Sequence, residues 1–181
     1  MPRKLTITKK IIISTLLVSI WAGSLIFIYN FLFLNPWMDS LLRQQFGEGF
    51  FDFSEFSVTG DYADDLEGII AKYEPVFESL QETAEERLEE LYQLAIAEYH
   101  QKKAAGTFDR FQLANKYLQA GQLLENTVDN AFYDLLENME IELKHKNLPT
   151  EIVSEIEATY KETKQDKKEE IFNRLRGEIE R

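Results

Sequence analysis

Two histidines, His100 and His145, and no cysteine are what this chain offers for imidazole or thiol chemistry. A general base, a nucleophilic triad or a multi-histidine zinc site draws on those side chains first, so the range is narrow. The one spacing suited to a metal site is Glu142 with His145. An E-x-x-H pair lies on one helix face, and di-iron bundles use it twice, with further glutamates from two other helices. Here it occurs once, and Ala97 stands where His100 would need its glutamate. The pair therefore reads as a surface helix end, and neither a metal nor a cofactor is expected. Carboxylates are plentiful, 32 in all, yet a working acid and base need a pocket that separates their pKa values, and no segment marks one. There is no G-x-S-x-G, no Walker A loop and no G-x-G-x-x-G, and FGEGF at residues 46–50 lacks the lysine and further glycines of a phosphate loop. No catalytic residue is assigned, and the chain is expected not to be an enzyme.

The elements around these residues are unevenly charged. Arg3, Lys4, Lys9 and Lys10 are the only charged residues before Asp39; 16 basic and 32 acidic residues follow, a net of −16. That balance repels phosphate backbones and excludes nucleic acid as a partner. Between the two regions, Ile11 to Leu34 carries no charge. A helix of that length spans about 36 Å against a hydrocarbon core of about 30 Å, enough to cross with some tilt. Ser14, Thr15, Ser19, Ser24 and Asn30 are scattered and make no polar stripe, unlike a buried soluble helix. The basic start places the N-terminus in the cytoplasm and the remainder outside. Asn35 and Pro36 end the span, and Tyr29 and Trp37 suit the outer interface. A peptidase site at Ala22 to Ser24 competes, but the apolar run continues past it for longer than a cleaved signal needs, which favours an uncleaved anchor.

Beyond the anchor the periodicity is helical throughout. From Asp61 to Ala105, Leu66, Ile69, Ile70, Tyr73, Phe77, Leu80, Ala84, Leu88, Leu91, Ala95 and Tyr99 form one face, with aspartates at the start and lysines at the end as the helix dipole favours. Pro75 should kink this helix or split it. Gly106 reads as a stop and Thr107 as the cap of a second helix, whose stripe is Phe108, Phe111, Ala114, Tyr117, Leu118, Gly121, Leu124, Val128, Ala131, Phe132, Leu135, Met139 and Leu143. Asn147 and Pro149 mark the next turn. A third helix, about residues 150–180, has one apolar patch at Ile152 to Tyr160 and another at Ile171 to Ile179, separated by KETKQDKKEE. The expectation is an all-α chain: a cytoplasmic tail (1–10), a transmembrane signal anchor (11–35), a juxtamembrane segment (36–60) and an extracytoplasmic domain (61–181). That domain should be an elongated antiparallel three-helix bundle, or a four-helix one if Pro75 makes a full turn.

The juxtamembrane segment contains FGEGFFDFSEF, residues 46–56, with neither helical nor strand period. Glu48, Asp52 and Glu55 would meet the negative surface of anionic lipid, so protein contact is preferred for Phe46, Phe50, Phe51, Phe53 and Phe56. They form a collar that docks on the bundle or on a protein partner beside the anchor. In layout the chain resembles bitopic cell-division or envelope-assembly proteins with an extracytoplasmic coiled coil. The function expected is that of a single-pass scaffold or accessory subunit of an envelope complex, docking through helix faces, with self-association open. The alternative is a ligand-sensing bundle that signals through a membrane partner.

Overall fold

The computed structural model describes residues 36–60 and 63–179. The tail and anchor expected over 1–10 and 11–35 lie outside them. Among the described residues no helix is long and apolar enough to cross a membrane, and every regular element is helical. The chain divides into two compact units, the first ending at Gln45 and the second beginning at Phe46.

Helix α1 (Pro36–Phe46) occupies the first part of the expected juxtamembrane segment, for which the sequence reading gives no element. Pro36 suits a first helical position, because its missing N–H is one that a helix start leaves unbonded in any case. Asp39 in the first turn and Arg43 in the last complement the helix dipole. A 3-10 turn (Glu48–Phe51) follows, entered through Gly47 at φ 101°, where any side chain would be strained.

Three long helices make up most of the second unit: α2 (Leu66–Ala104), α3 (Arg110–His145) and α4 (Glu151–Ile179). Helix α2 starts at Leu66, five residues later than expected. Asp65 is its cap, accepting a 2.8 Å bond from the Gly68 N–H, while Asp64 instead pairs with Lys146 at 2.9 Å. Pro75 does not split the helix, which is continuous through it. A proline inside a helix costs about 3 kcal/mol. Ile69, Tyr73 and Leu80, buried on either side, each return about 1.5–3 kcal/mol.

Both interhelical turns are closed by the same pattern. After α2, Gly106 at φ 68° lets its N–H reach Lys103 O at 3.3 Å and the Thr107 N–H reach Lys102 O at 3.0 Å. After α3, Asn147 at φ 55° does the same with Lys144 and Leu143, and Leu148 then packs beside Leu143. This is the Schellman arrangement, in which a left-handed residue satisfies the last carbonyls. It uses Thr107 as part of the stop, so Thr107 is not the cap of α3. Asp109 is, accepting from the N–H groups of Phe111 and Gln112.

Helices α2 and α3 form an antiparallel hairpin. Tyr73 meets Glu142 near one end, and Glu98 meets Tyr117 near the other. Helix α4 runs back antiparallel to α3, with Tyr160 stacked on Phe132 at 3.7 Å and Lys168 reaching Glu125 at 2.7 Å.

Helix α3 is buried on more sides than a single stripe provides. Leu113, Lys116, Ala120 and Leu123, at steps of three and four, form one flank, and Glu125, Asp129, Phe132 and Leu136 form another. Lys116 and Glu125 are nine residues apart, about half a turn at 100° per residue. The phenylalanine segment lies on the first flank and α4 on the second. Leu113, Ala120, Leu123 and Leu136 are buried although they fall off the expected stripe, whereas Phe111 and Leu118, on that stripe, are 86% and 59% exposed.

Candidate docking groove

The five phenylalanines singled out from sequence come together on the hairpin of their own unit. Phe50, Phe51 and Phe53 are buried, and Phe46 and Phe56 are half-buried. Phe46 lies edge-on to Tyr117 at 6.0 Å, beneath the Lys116 ammonium. Arg87 of α2 donates a 2.7 Å bond to Gly49 O, and its guanidinium covers the Phe50 ring at 5.4 Å. Phe50 and Phe51 meet edge to face at 4.9 Å, and Phe53 stacks on Phe56. Further along, Val58 and Ala63 pack on the cluster of Ile69, Tyr73, Met139 and Leu143. The segment is thus a strap laid along the hairpin from Tyr117 towards Glu142. The three buried rings are spent on this contact; Phe46 and Phe56 keep part of their surface.

Glu142 is where the sequence reading needs correction. It is 2% exposed, not part of a solvated helix end. Its carboxylate accepts from Lys72 Nζ at 2.9 and 3.1 Å, from the Ala63 N–H at 3.0 Å and from the Tyr73 hydroxyl at 3.3 Å. Burial pushes its pKa up, but Lys72, the Ala63 N–H and Tyr73 together outweigh that and hold it below the usual value. One carboxylate therefore ties the strap's end, α2 and α3 together. The missed signal was Lys72, which stands between Ile70 and Tyr73 on an otherwise apolar stretch of α2. Among the described residues no group of three or more histidines, aspartates and glutamates could hold a metal ion.

A second polar group sits near the hairpin tip. Glu98 takes Lys116 at 2.5 Å, Lys102 at 3.0 Å and the Tyr117 hydroxyl at 2.9 Å. Burial raises its pKa, and these three donors reverse the effect and bring it down to about 2. Burial and the Glu98 charge in turn push the Tyr117 phenol up.

The other flank of the hairpin is less filled. Helix α4 is seated through Ile152, Val153, Ile156 and Tyr160. Its second half is held mainly by charge: Lys164 to Asp129 and Glu125, Lys167 to Glu85, Lys168 to Glu125, and Arg174 bidentate to Glu89 at 2.7 and 2.9 Å while covering Tyr92 at 4.2 Å. Arg174 draws the Glu89 pKa down to about 2. Long cationic side chains reach further than apolar ones, and they leave a groove between α4 and the hairpin with a volume of about 1350 Å³, open along one side. Its walls are apolar: Phe77, Ala84, Leu88, Leu118, Ile171 and Phe172 contribute surface. The second apolar patch of α4 faces this groove, and Phe172 remains 55% exposed.

Comparison with protein-family models, curated proteins and solved structures finds no match for this chain. The fold is thus defined as an all-helical unit with a strap on one flank of its hairpin and an apolar groove on the other.

Proposed function

We propose that this chain is a single-pass, membrane-anchored interaction module whose extracytoplasmic helical unit docks a protein partner through the groove between α4 and the α2–α3 hairpin. The observation that carries the reading is the groove itself. It exposes aromatic and aliphatic surface along helices whose remaining faces are charged, and a contiguous apolar patch rimmed by polar residues is what interaction sites present. Its size suits a helix. A helix about 10 Å across displaces about 80 Å³ per Å of length, so one sunk half-way fills such a groove over roughly 30–35 Å, a little more than 20 residues. A small-molecule site is commonly about 300–1,000 Å³ and buries most of its ligand, so a groove larger than that and open on one side fits the ligand-sensing alternative less well.

The anchor rests on the charge-free run from Ile11 to Leu34, and the extracytoplasmic placement on the basic residues before it. The strap gives the unit a function in this reading. By fixing the chain that emerges from the membrane onto the first flank of α3, it leaves the groove flank for a partner. The test is capture from crosslinked cells after mild solubilisation, comparing the wild type with Leu118→Glu and Phe172→Glu, both at exposed groove positions. Loss of a stoichiometric complex in these variants supports the proposal. A complex that survives both rejects the groove as the docking site, and a lone protein with a ligand-dependent melting shift supports the sensor instead.

A further inference from the structure

Helix α2 carries a stripe of acids, Glu74, Glu78, Glu85 and Glu89, at spacings of four, seven and four, and the first three line the groove. These spacings place all four along one side of the helix. The second half of the stripe is neutralised within the chain: Lys167 of α4 holds Glu85 at 3.2 Å and Arg174 holds Glu89 at 2.7 Å. The first half is not. Glu74 and Glu78 line the groove, are exposed, and have no cation among the ion pairs of the described residues. The facing wall offers none either, because there α4 presents Glu155, also exposed and also lining the groove. Like charges on both walls of an apolar groove repel, and they favour an occupant that brings positive charge between them.

The kind of occupant is shown by α4 itself. Its second half has acids as well, but the side chains that reach the hairpin are Lys164, Lys167, Lys168 and Arg174, next to Ile171 and Leu175, and this cationic and apolar side lies along the matching half of the same acidic stripe. We propose that the groove binds a cationic amphipathic helix of a partner protein, its apolar face against the groove walls and its lysines or arginines at Glu74, Glu78 and Glu155. This rests on the docking function argued above and specifies its partner. A second copy of this chain is disfavoured, since the part beyond the apolar run carries a net charge of −16 and would bring acids to acids.

The experiment uses the full chain in lipid nanodiscs and two labelled helical peptides of about 20 residues. They share one leucine stripe and differ only in having lysine or glutamate beside it. The lysine peptide should bind the more tightly, by about tenfold or more at low salt, and Glu74→Lys with Glu78→Lys should invert the preference. Equal binding of the two peptides, an unchanged preference in the charge-reversed variant, binding of neither, saturation by a fatty acid in place of either peptide, or self-association of the chain at this face would each overturn the proposal. The same double variant used in the cellular capture separates this inference from the docking reading. A complex lost in Leu118→Glu but kept in the charge-reversed variant leaves docking standing and removes the cationic partner, whereas a complex kept in both removes docking.

Discussion

Glu142 shows at the scale of one residue how a buried charge is made tolerable. Three donor groups from the strap's end and α2 converge on it, and its full counter-charge among the described residues is Lys72, whose own side chain is 19% exposed. Removing one partner of such a pair leaves the other uncompensated, so Glu142→Ala should destabilise the fold by roughly 2–4 kcal/mol in chemical denaturation. Lys72→Met with Glu142→Leu should recover much of that loss, because it removes both desolvation penalties together. The pH dependence follows from direction alone. Glu142, Glu89 and Glu98 all have folded pKa values below their unfolded ones, the last two at about 2. Each contributes stability that is present above the unfolded value of about 4.3 and is lost as pH falls through the folded value. The denaturation midpoint should hold above pH 5 and fall steadily from there to pH 2. A midpoint that rose on acidification would show that these carboxylates are not held as described.

At the scale of elements, α4 is two helices in energetic terms. Its first half is anchored by apolar contacts and the Tyr160–Phe132 stack, and its second half by pairs between partly exposed charges. At about 1 M salt the screening length falls to about 3 Å, which weakens the second set and leaves the first. Hydrogen exchange should therefore accelerate over 164–178 in high salt while 152–160 stays protected; uniform protection would mean the distal half is packed rather than clamped. The strap is predicted to contribute core-like stability. Phe50, Phe51 and Phe53 replaced together by Ser should cost several kcal/mol, roughly 3 or more for Phe51 alone, and an unchanged melting curve would contradict its docking. Pro75→Ala should stabilise α2 by about 1–3 kcal/mol, since the helix already runs through this position.

For the whole molecule, what could be read from sequence follows from which forces are local. The three long helices, the stops at Gly106 and Asn147 and most of the hairpin stripe were legible because periodicity and turn chemistry are written in neighbouring residues, whereas the short helix α1 was not. The start of α2 was misplaced because three aspartates compete for one cap, and only the register of Gly68 selects Asp65. The burial of Leu113, Ala120 and Leu123 could not be read from one stripe, because α3 is packed on more than one side by segments distant in sequence. Glu142 looked solvated because its partners lie some 70 residues away in sequence. The groove was foreshadowed by the split apolar pattern of α4, but its acidic wall needs α2 and α4 side by side. The topology argued from Arg3, Lys4, Lys9 and Lys10 has its own check: protease added to intact spheroplasts should remove a C-terminal tag, and full protection of an accessible tag would reverse the orientation.

The central claim, that the groove is a docking site, is tested most directly by placing a photo-crosslinking amino acid at single positions in cells. Leu118 and Phe172 line the groove, whereas Ile141, equally apolar and 54% exposed, is not part of its lining. The expected result is a discrete protein adduct from Leu118 and Phe172 and none from Ile141. Equal adducts from all three positions, or an adduct from Ile141 alone, would contradict it.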